Sequence, residues 1–227
     1  MTYPGPVRSA TCRDLKWAEQ TVIPQLHEPL SMVPDETREG HRHHEVFSTS
    51  RARHLDSRPR RFLYSPERLA EQYVKPGDHV LDFGCGPGFF TREFAKVVGD
   101  TGEVIAVDVQ VEMLQLLRER LGSEGLLPRI RTHRCDPDSL GLSPELDGSI
   151  DVAFAIFVVH EVPDPGRLFR EIAALLVPGG LLFLSEPLFI VSGREFRATL
   201  SRAEEAGLRL VDAKFFFVNR AAVLKKG

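Results

Sequence analysis

Three glycines at alternate positions, Gly84, Gly86 and Gly88, follow directly on the apolar run Val80-Leu81-Asp82-Phe83. The run reads as a short buried strand. A helical pattern begins at once behind the glycines, with Phe90, Phe94, Val97 and Val98 on one face and Gly99 as a stop. A glycine turn between strand and helix lets the backbone approach a ligand closely, and it aims the first unpaired helix N–H groups at an anionic or polar group. The chemistry this supports is binding of a nucleotide-like cofactor. A dinucleotide fingerprint would need Gly-x-Gly-x-x-Gly or -Ala. Counted from Gly84 its last position is Phe89, and from Gly86 it is Thr91, so neither count fits.

Carboxylates and a histidine follow at strand ends. Val104 to Val107 is an apolar strand that closes on Asp108, twenty residues after Gly88. A carboxylate there accepts hydrogen bonds from ribose hydroxyls; the other reading is a cap on the next helix. Asp136, in Cys135-Asp136-Pro137, follows a weak strand over 129–132 and reads otherwise as a turn residue before proline. His160 lies a few residues past the apolar run Ile150 to Phe157, and Glu186 just past Leu181 to Ser185. Both fall at the carboxyl edge of the expected sheet, where such folds bind ligands. Each is a candidate general base or a wall residue.

These residues need a scaffold, and the periodicity supplies one. Ser65-Pro66 opens a helix with Ser as N-cap, through Leu69, Ala70, Tyr73 and Val74 to Lys75-Pro76-Gly77. Met113, Leu114, Leu117 and Leu121 form an amphipathic helix closed by Gly122. Ile150 to Phe157 suits a central strand buried on both faces. Asp164-Pro165 starts a helix through Leu168, Phe169, Ile172, Leu175 and Leu176, which Pro178-Gly179-Gly180 ends. Ser192-Gly-Arg-Glu195 is a capping box for a helix running to Gly207. Leu208 to Val218 and Ala221 to Leu224 read as two strands around a turn at Asn219-Arg220. Alternating strands and helices imply right-handed crossovers and a parallel sheet; the closing hairpin adds one antiparallel strand.

Residues 1–57 are expected to form an N-terminal extension or lid, and 58–227 the folded domain. Prolines at 4, 6, 24, 29 and 34 break any long helix in the extension, though a short one around Leu15 to Ile23 fits. His41, His43 and His44 could bind a metal, but i, i+2, i+3 spacing does not share a helix face, so a polar lid is expected and no metal site. Arg51, Arg53, Arg58, Arg60 and Arg61 read as a solvated face or as an anion-attracting rim.

With 227 residues, 42% apolar and 27% charged, the composition is that of a globular domain. A net charge of −3 argues against nucleic acid as main partner. No apolar run reaches the ~18 residues of a membrane span, and the first residues lack a signal-peptide layout. Cys12, Cys85 and Cys135 are odd in number and widely spaced, which suggests a reducing cytoplasm.

The run Asp82-x-Gly84-x-Gly86-x-Gly88, with Asp108, Asp136, the stretch Asp151 to Asp164, and Pro178-Gly179-Gly180 before a strand, resembles the class I S-adenosylmethionine-dependent methyltransferases. Within them it looks like the small-molecule subfamily that includes quinone-pathway enzymes. The resemblance covers roughly residues 60–227. It implies an α/β, Rossmann-like, doubly wound sheet of seven strands in the order 3-2-1-4-5-7-6, the seventh antiparallel. It implies S-adenosylmethionine as cofactor, held by Asp82, Gly84, Cys85, Gly86, Gly88, Asp108, Val109, Met113, Asp136 (to the adenine amino group) and Ala155. His160 and Glu186 are the candidates beside a small-molecule acceptor. The chain departs from the nucleic-acid amino-methylating enzymes, having no Asn-Pro-Pro-Tyr or Asp-Pro-Pro-Tyr, and from the cytosine C5 type, having no Pro-Cys nucleophile. A nicotinamide oxidoreductase, a binding module without catalysis and an RNA or protein methyltransferase are the rival readings.

Overall fold

A computed structural model describes residues 65–216 and 219–227. The extension over 1–57 with its histidine cluster, and the whole arginine run from Arg51 to Arg61, lie outside the described residues. The elements in chain order are α1 (Pro66–Tyr73), β1 (His79–Phe83), α2 (Thr91–Val98), β2 (Glu103–Asp108), α3 (Val111–Gly122), β3 (Ile130–Arg134), β4 (Ile150–Ile156), α4 (Pro165–Leu175), β5 (Leu176–Pro187), α5 (Gly193–Glu205), β6 (Leu208–Phe216) and β7 (Asn219–Lys226). The sheet has the expected order, β3-β2-β1-β4-β5-β7-β6. Strands β1 to β5 pair in parallel, and β7 runs antiparallel to both β5 and β6.

Period-two alternation sends the core to both faces of the sheet. On β4, Val152, Phe154 and Ile156 join the cluster beneath α1, α2 and α3, while Ala153 and Ala155 join the one beneath α4 and α5. Phe154 anchors the first face: its ring stacks on Phe94 at 4.1 Å between centroids and lies 5.9 Å from Phe183. The second is filled by Leu168, Phe169 and Ile172 of α4 and Phe196, Leu200 and Ala203 of α5. Covering both faces with helices leaves the strand ends as the place where polar side chains can gather.

Two caps behave as the sequence suggests. Asp164 accepts from the Arg167 N–H at 3.0 Å, and Ser192 and Glu195 form a reciprocal capping box. Three local expectations need correcting. Ser65 occupies the N-cap position of α1 but in a left-handed conformation, and its side chain makes no capping bond. An N-cap hydroxyl ordinarily reaches the N2 or N3 N–H from extended backbone, which Ser65 does not adopt. Pro178-Gly179-Gly180 does not end α4; β5 already starts at Leu176 and the three residues lie within it. A Cβ on Gly180 would meet Val177 O at 2.9 Å, Asp151 O at 3.1 Å and Ile150 O at 3.2 Å, so this glycine permits the close approach of β4 where the register shifts. Asn219 and Arg220 are not a turn but the first pairs of β7, opposite Pro187 and Glu186 on one side and Phe216 and Phe215 on the other. Strand partners on both sides override the turn preference of Asn.

Candidate functional site

The glycine turn wraps the end of β2. The N–H groups of Gly84 and Cys85 both donate to the Val107 carbonyl, at 2.8 and 3.1 Å. Gly84, Gly86 and Gly88 have φ of +72°, +53° and +86°, a region that other residues enter only under strain. Their surroundings differ. A Cβ on Gly84 would lie 2.5 Å from Val158 Cγ2, and one on Gly88 2.9 Å from Leu117 Cγ, so these two glycines serve packing. A Cβ on Gly86 would meet nothing within 4 Å. Gly86 therefore exposes bare backbone to open space, which is where a ligand can come close.

Asp108 sits beside that opening and is 8% exposed. Its Oδ2 accepts the Gly86 N–H and its Oδ1 the Gln110 N–H, each at 2.9 Å. The carboxylate thus ties the glycine turn to the start of α3 and joins both readings made of it. With about four acceptor positions on a carboxylate, these two bonds leave room for hydroxyl donors. Burial pushes its pKa up, against the pull of the surrounding backbone N–H groups. Beneath the turn, Asp82 is 3% exposed and accepts from Thr91 Oγ1 at 2.6 Å. Burial, opposed by Thr91 and reinforced by Asp108, raises its pKa to about 7.

The remaining cofactor candidates fall on neighbouring strand ends. Met113 is buried in the first turn of α3, and Val109 is half-buried between Asp108 and that helix. The Cys135 N–H donates to the Asp108 carbonyl at 3.1 Å, which brings exposed Asp136 beside β2. Asp136 exchanges backbone hydrogen bonds with Ser139, so it is a turn residue as well. Ala155, wholly buried, pairs with Phe83 on one side and Leu184 on the other. Cys85 and Cys135 are both buried, which raises both thiols, Cys135 to about 11. They pack into different core clusters, and burial keeps both thiols protonated, which makes them inert packing groups.

His160 and Glu186 meet. A short 3₁₀ turn over Val159–Glu161 follows β4, and Glu186 lies near the end of β5. Glu186 is 1% exposed and receives His160 twice: the backbone N–H at 3.2 Å on Oε1 and ring Nδ1 at 2.6 Å on Oε2. A carboxylate at Nδ1 fixes the tautomer with its proton there and leaves Nε2 as an acceptor. Glu161 Oε1 stands 3.8 Å from that Nε2. Burial lowers the ring's pKa, but the hydrogen bond and charge of Glu186, together with Glu161, outweigh it and raise the pKa above its ordinary value. The result is a histidine oriented and made more basic by a buried carboxylate, with His160 following the strand next to β1, which carries the glycine turn, and Glu186 on the strand after that, in a row that reads β2, β1, β4, β5.

Sequence reasoning did not find Thr91, Val158 or Phe157. A hydroxyl one turn past the third glycine was the available signal for Thr91. Val158 fills the space that Gly84 leaves, and Phe157 adopts φ +61° while its N–H donates to Ser185 O at 2.8 Å. Neither carries a signal at its own position. Among the described residues no group of His, Cys, Asp and Glu could hold a metal ion.

Residues 80–180 match the family model of a methyltransferase domain. The ubiquinone/menaquinone biosynthesis C-methyltransferase UbiE of Pseudoalteromonas translucida is 34% identical over 124 residues, 55% of this chain and 48% of that protein. An uncharacterized protein of a Streptomyces fradiae transposon is 38% identical over 114 residues, 50% of this chain and 31% of its own length. The chain thus spans about half or less of the curated relatives it matches. Among solved structures, a SAM-dependent methyltransferase from Aquifex aeolicus superposes with a TM-score of 0.70 at 26% identity, covering 79% of this chain and 98% of that one. The cyclase SpnF shares the fold at 19% identity and a TM-score of 0.57, over 71% of this chain and 79% of its own.

Proposed function

We propose that the protein transfers a methyl group from S-adenosylmethionine to a small-molecule acceptor carrying an ionisable O–H or C–H, a reading supported by the match of residues 80–180 to a methyltransferase domain and by the likeness to a SAM-dependent methyltransferase structure. The observation that carries this reading is Gly86: a positive-φ glycine, open on its Cβ side, whose N–H is held by the strand-end carboxylate of Asp108. That combination suits a nucleoside whose ribose reaches Asp108 while its tail passes over bare backbone. Val109 and Met113 would flank the base, Asp136 would accept its amino group, and Asp82 would lie under the tail. S-adenosylmethionine supplies, when bound, a methyl group already made electrophilic by the sulfonium.

The remaining work belongs to the chain. Reacting atoms must be held ~3–3.5 Å apart in line, with water excluded. His160 Nε2, with Nδ1–H kept on Glu186, takes the proton that the acceptor atom gives up as its bond to the methyl carbon forms. An amine acceptor would not need so basic a partner, and this favours an oxygen or carbon acid. The relatives named for C-methylation in quinone biosynthesis support a small-molecule acceptor. Tritiated S-adenosylmethionine, incubated with the protein and fractionated cell extract, tests the reading. Label should enter small molecules; label confined to RNA or protein would overturn the acceptor class, and no incorporation with intact binding would leave a binding module.

A further inference from the structure

The carboxyl edge of the sheet carries a second feature that methyl transfer does not use. After β5 the chain turns sharply, with the Ile190 and Val191 N–H groups both bonded to the Pro187 carbonyl. The tip of this turn is apolar and outward-facing: Phe189 is 79% exposed and Ile190 55%. A third large apolar residue, Phe215 of β6, is 70% exposed. Phe215 pairs in register with Arg220, and Arg220 with Glu186, so the three share one row and one face of the sheet. Arg220 links the row to the turn, since its Nη1 donates to the Val191 carbonyl at 2.7 Å.

Positive charge gathers at the same place. A Cβ on Gly193 would lie 3.4 Å from Arg220 Nη2 and 3.6 Å from Arg197 Nη1, so the two guanidinium groups converge at the start of α5. Exposed Arg194 stands next to Gly193. None of these three arginines forms an ion pair among the described residues. The one acidic side chain in the first turn of α5, Glu195, is engaged by the Ser192 N–H at 2.8 Å.

We propose that this edge is a docking surface for an anionic membrane: Phe189, Ile190 and Phe215 enter the headgroup layer while Arg194, Arg197 and Arg220 meet lipid phosphates. The apolar groups project from a turn and an edge strand rather than lining a cavity, which suits a soft planar partner better than a small ligand. Isolated apolar insertion is weak, and a basic rim gives the second attraction that stable attachment requires. No helix among the described residues is long and apolar enough to cross a membrane, so attachment here is peripheral. Docked this way, the protein would turn the row containing Glu186, and with it the acceptor edge, toward the bilayer. The inference stands whether or not methyl transfer is the reaction.

Co-sedimentation of the full chain with phosphatidylcholine vesicles, with and without phosphatidylglycerol, tests it. Binding should appear with the anionic vesicles only and fall as salt rises. Phe189→Ser with Ile190→Ser, both at exposed positions, should weaken it at least about tenfold, and Arg194→Glu with Arg197→Glu by a similar factor, each variant melting like the parent. Failure of the parent to bind anionic vesicles overturns the proposal. Undiminished binding by both variants also overturns it. Self-association of the parent that the Phe189 variant abolishes, without vesicle binding, would make the face an interface between copies instead.

Discussion

Gly84, Gly86 and Gly88 look equivalent in the sequence and differ in what surrounds them. Gly86→Ala costs only the left-handed backbone penalty of about 1–2 kcal/mol, because its Cβ enters empty space. That space is where the cofactor is proposed to lie, so the variant should fold and fail to bind S-adenosylmethionine. Gly84→Ala adds a collision with Val158 at 2.5 Å and should lose a further ~1–3 kcal/mol. Thermal melts and calorimetric titration of the two variants separate these effects. His160 and Glu186 yield the second residue-level prediction. Only the neutral ring can accept a proton, and its pKa is raised above the ordinary value. The transfer rate should therefore fall as pH drops through that raised pKa. His160→Ala should lower the maximal rate ~10²–10⁴-fold with affinity for the cofactor intact. Glu186→Gln removes the charge that raises the pKa, so the acidic limb of the rate profile should move to lower pH. An unchanged profile in Glu186→Gln would reduce the pair to a wall of the site.

At the scale of elements, Gly180 decides how β4 and β5 meet. Three carbonyls crowd the place where its Cβ would be, and all three belong to backbone that cannot swing aside. Gly180→Ala should push the strands apart at the register shift and cost a few kcal/mol, on the order of 2–4, read as a lowered midpoint in urea with faster amide exchange at Leu181 and Leu182. The sequence carried most of the sheet, because the central strands are apolar runs, several of them closed by glycine or a carboxylate, as in Val80 to Gly84 and Val104 to Asp108. It misplaced Gly180 and Asn219 because both are ordinary turn residues by type. Their real roles, a close backbone approach and a doubly paired strand start, depend on strands distant in the chain. The same divide runs through the site. The glycine turn and Asp108 are local patterns, whereas the bond between His160 and Glu186 joins residues 26 apart and shows only once β4 and β5 are side by side.

The whole molecule stores an electrostatic cost at its cofactor edge. Asp82 has a folded pKa of about 7 against an ordinary 3.8, so the folded state holds its proton more tightly than the unfolded chain. Its contribution to stability is full below pH 3.8 and is lost as pH rises to about 7, beyond which it is constant. The total lost is on the order of 4 kcal/mol. Asp82→Asn removes the titration, so the variant should gain on the parent across that window and hold level above it, measured as the difference in unfolding free energy by urea titration at several pH values. A parallel pH dependence in the two proteins would mean that Asp82 does not titrate there.

The measurement that bears most directly on the account is calorimetric titration of the full chain with S-adenosylmethionine, its demethylated product and a nicotinamide dinucleotide, with Gly86→Ala alongside. The account predicts binding of the first two, none of the third, and loss of both in a folded Gly86→Ala variant. Binding of the dinucleotide with none of S-adenosylmethionine, or affinity for S-adenosylmethionine undiminished by Gly86→Ala, would contradict it.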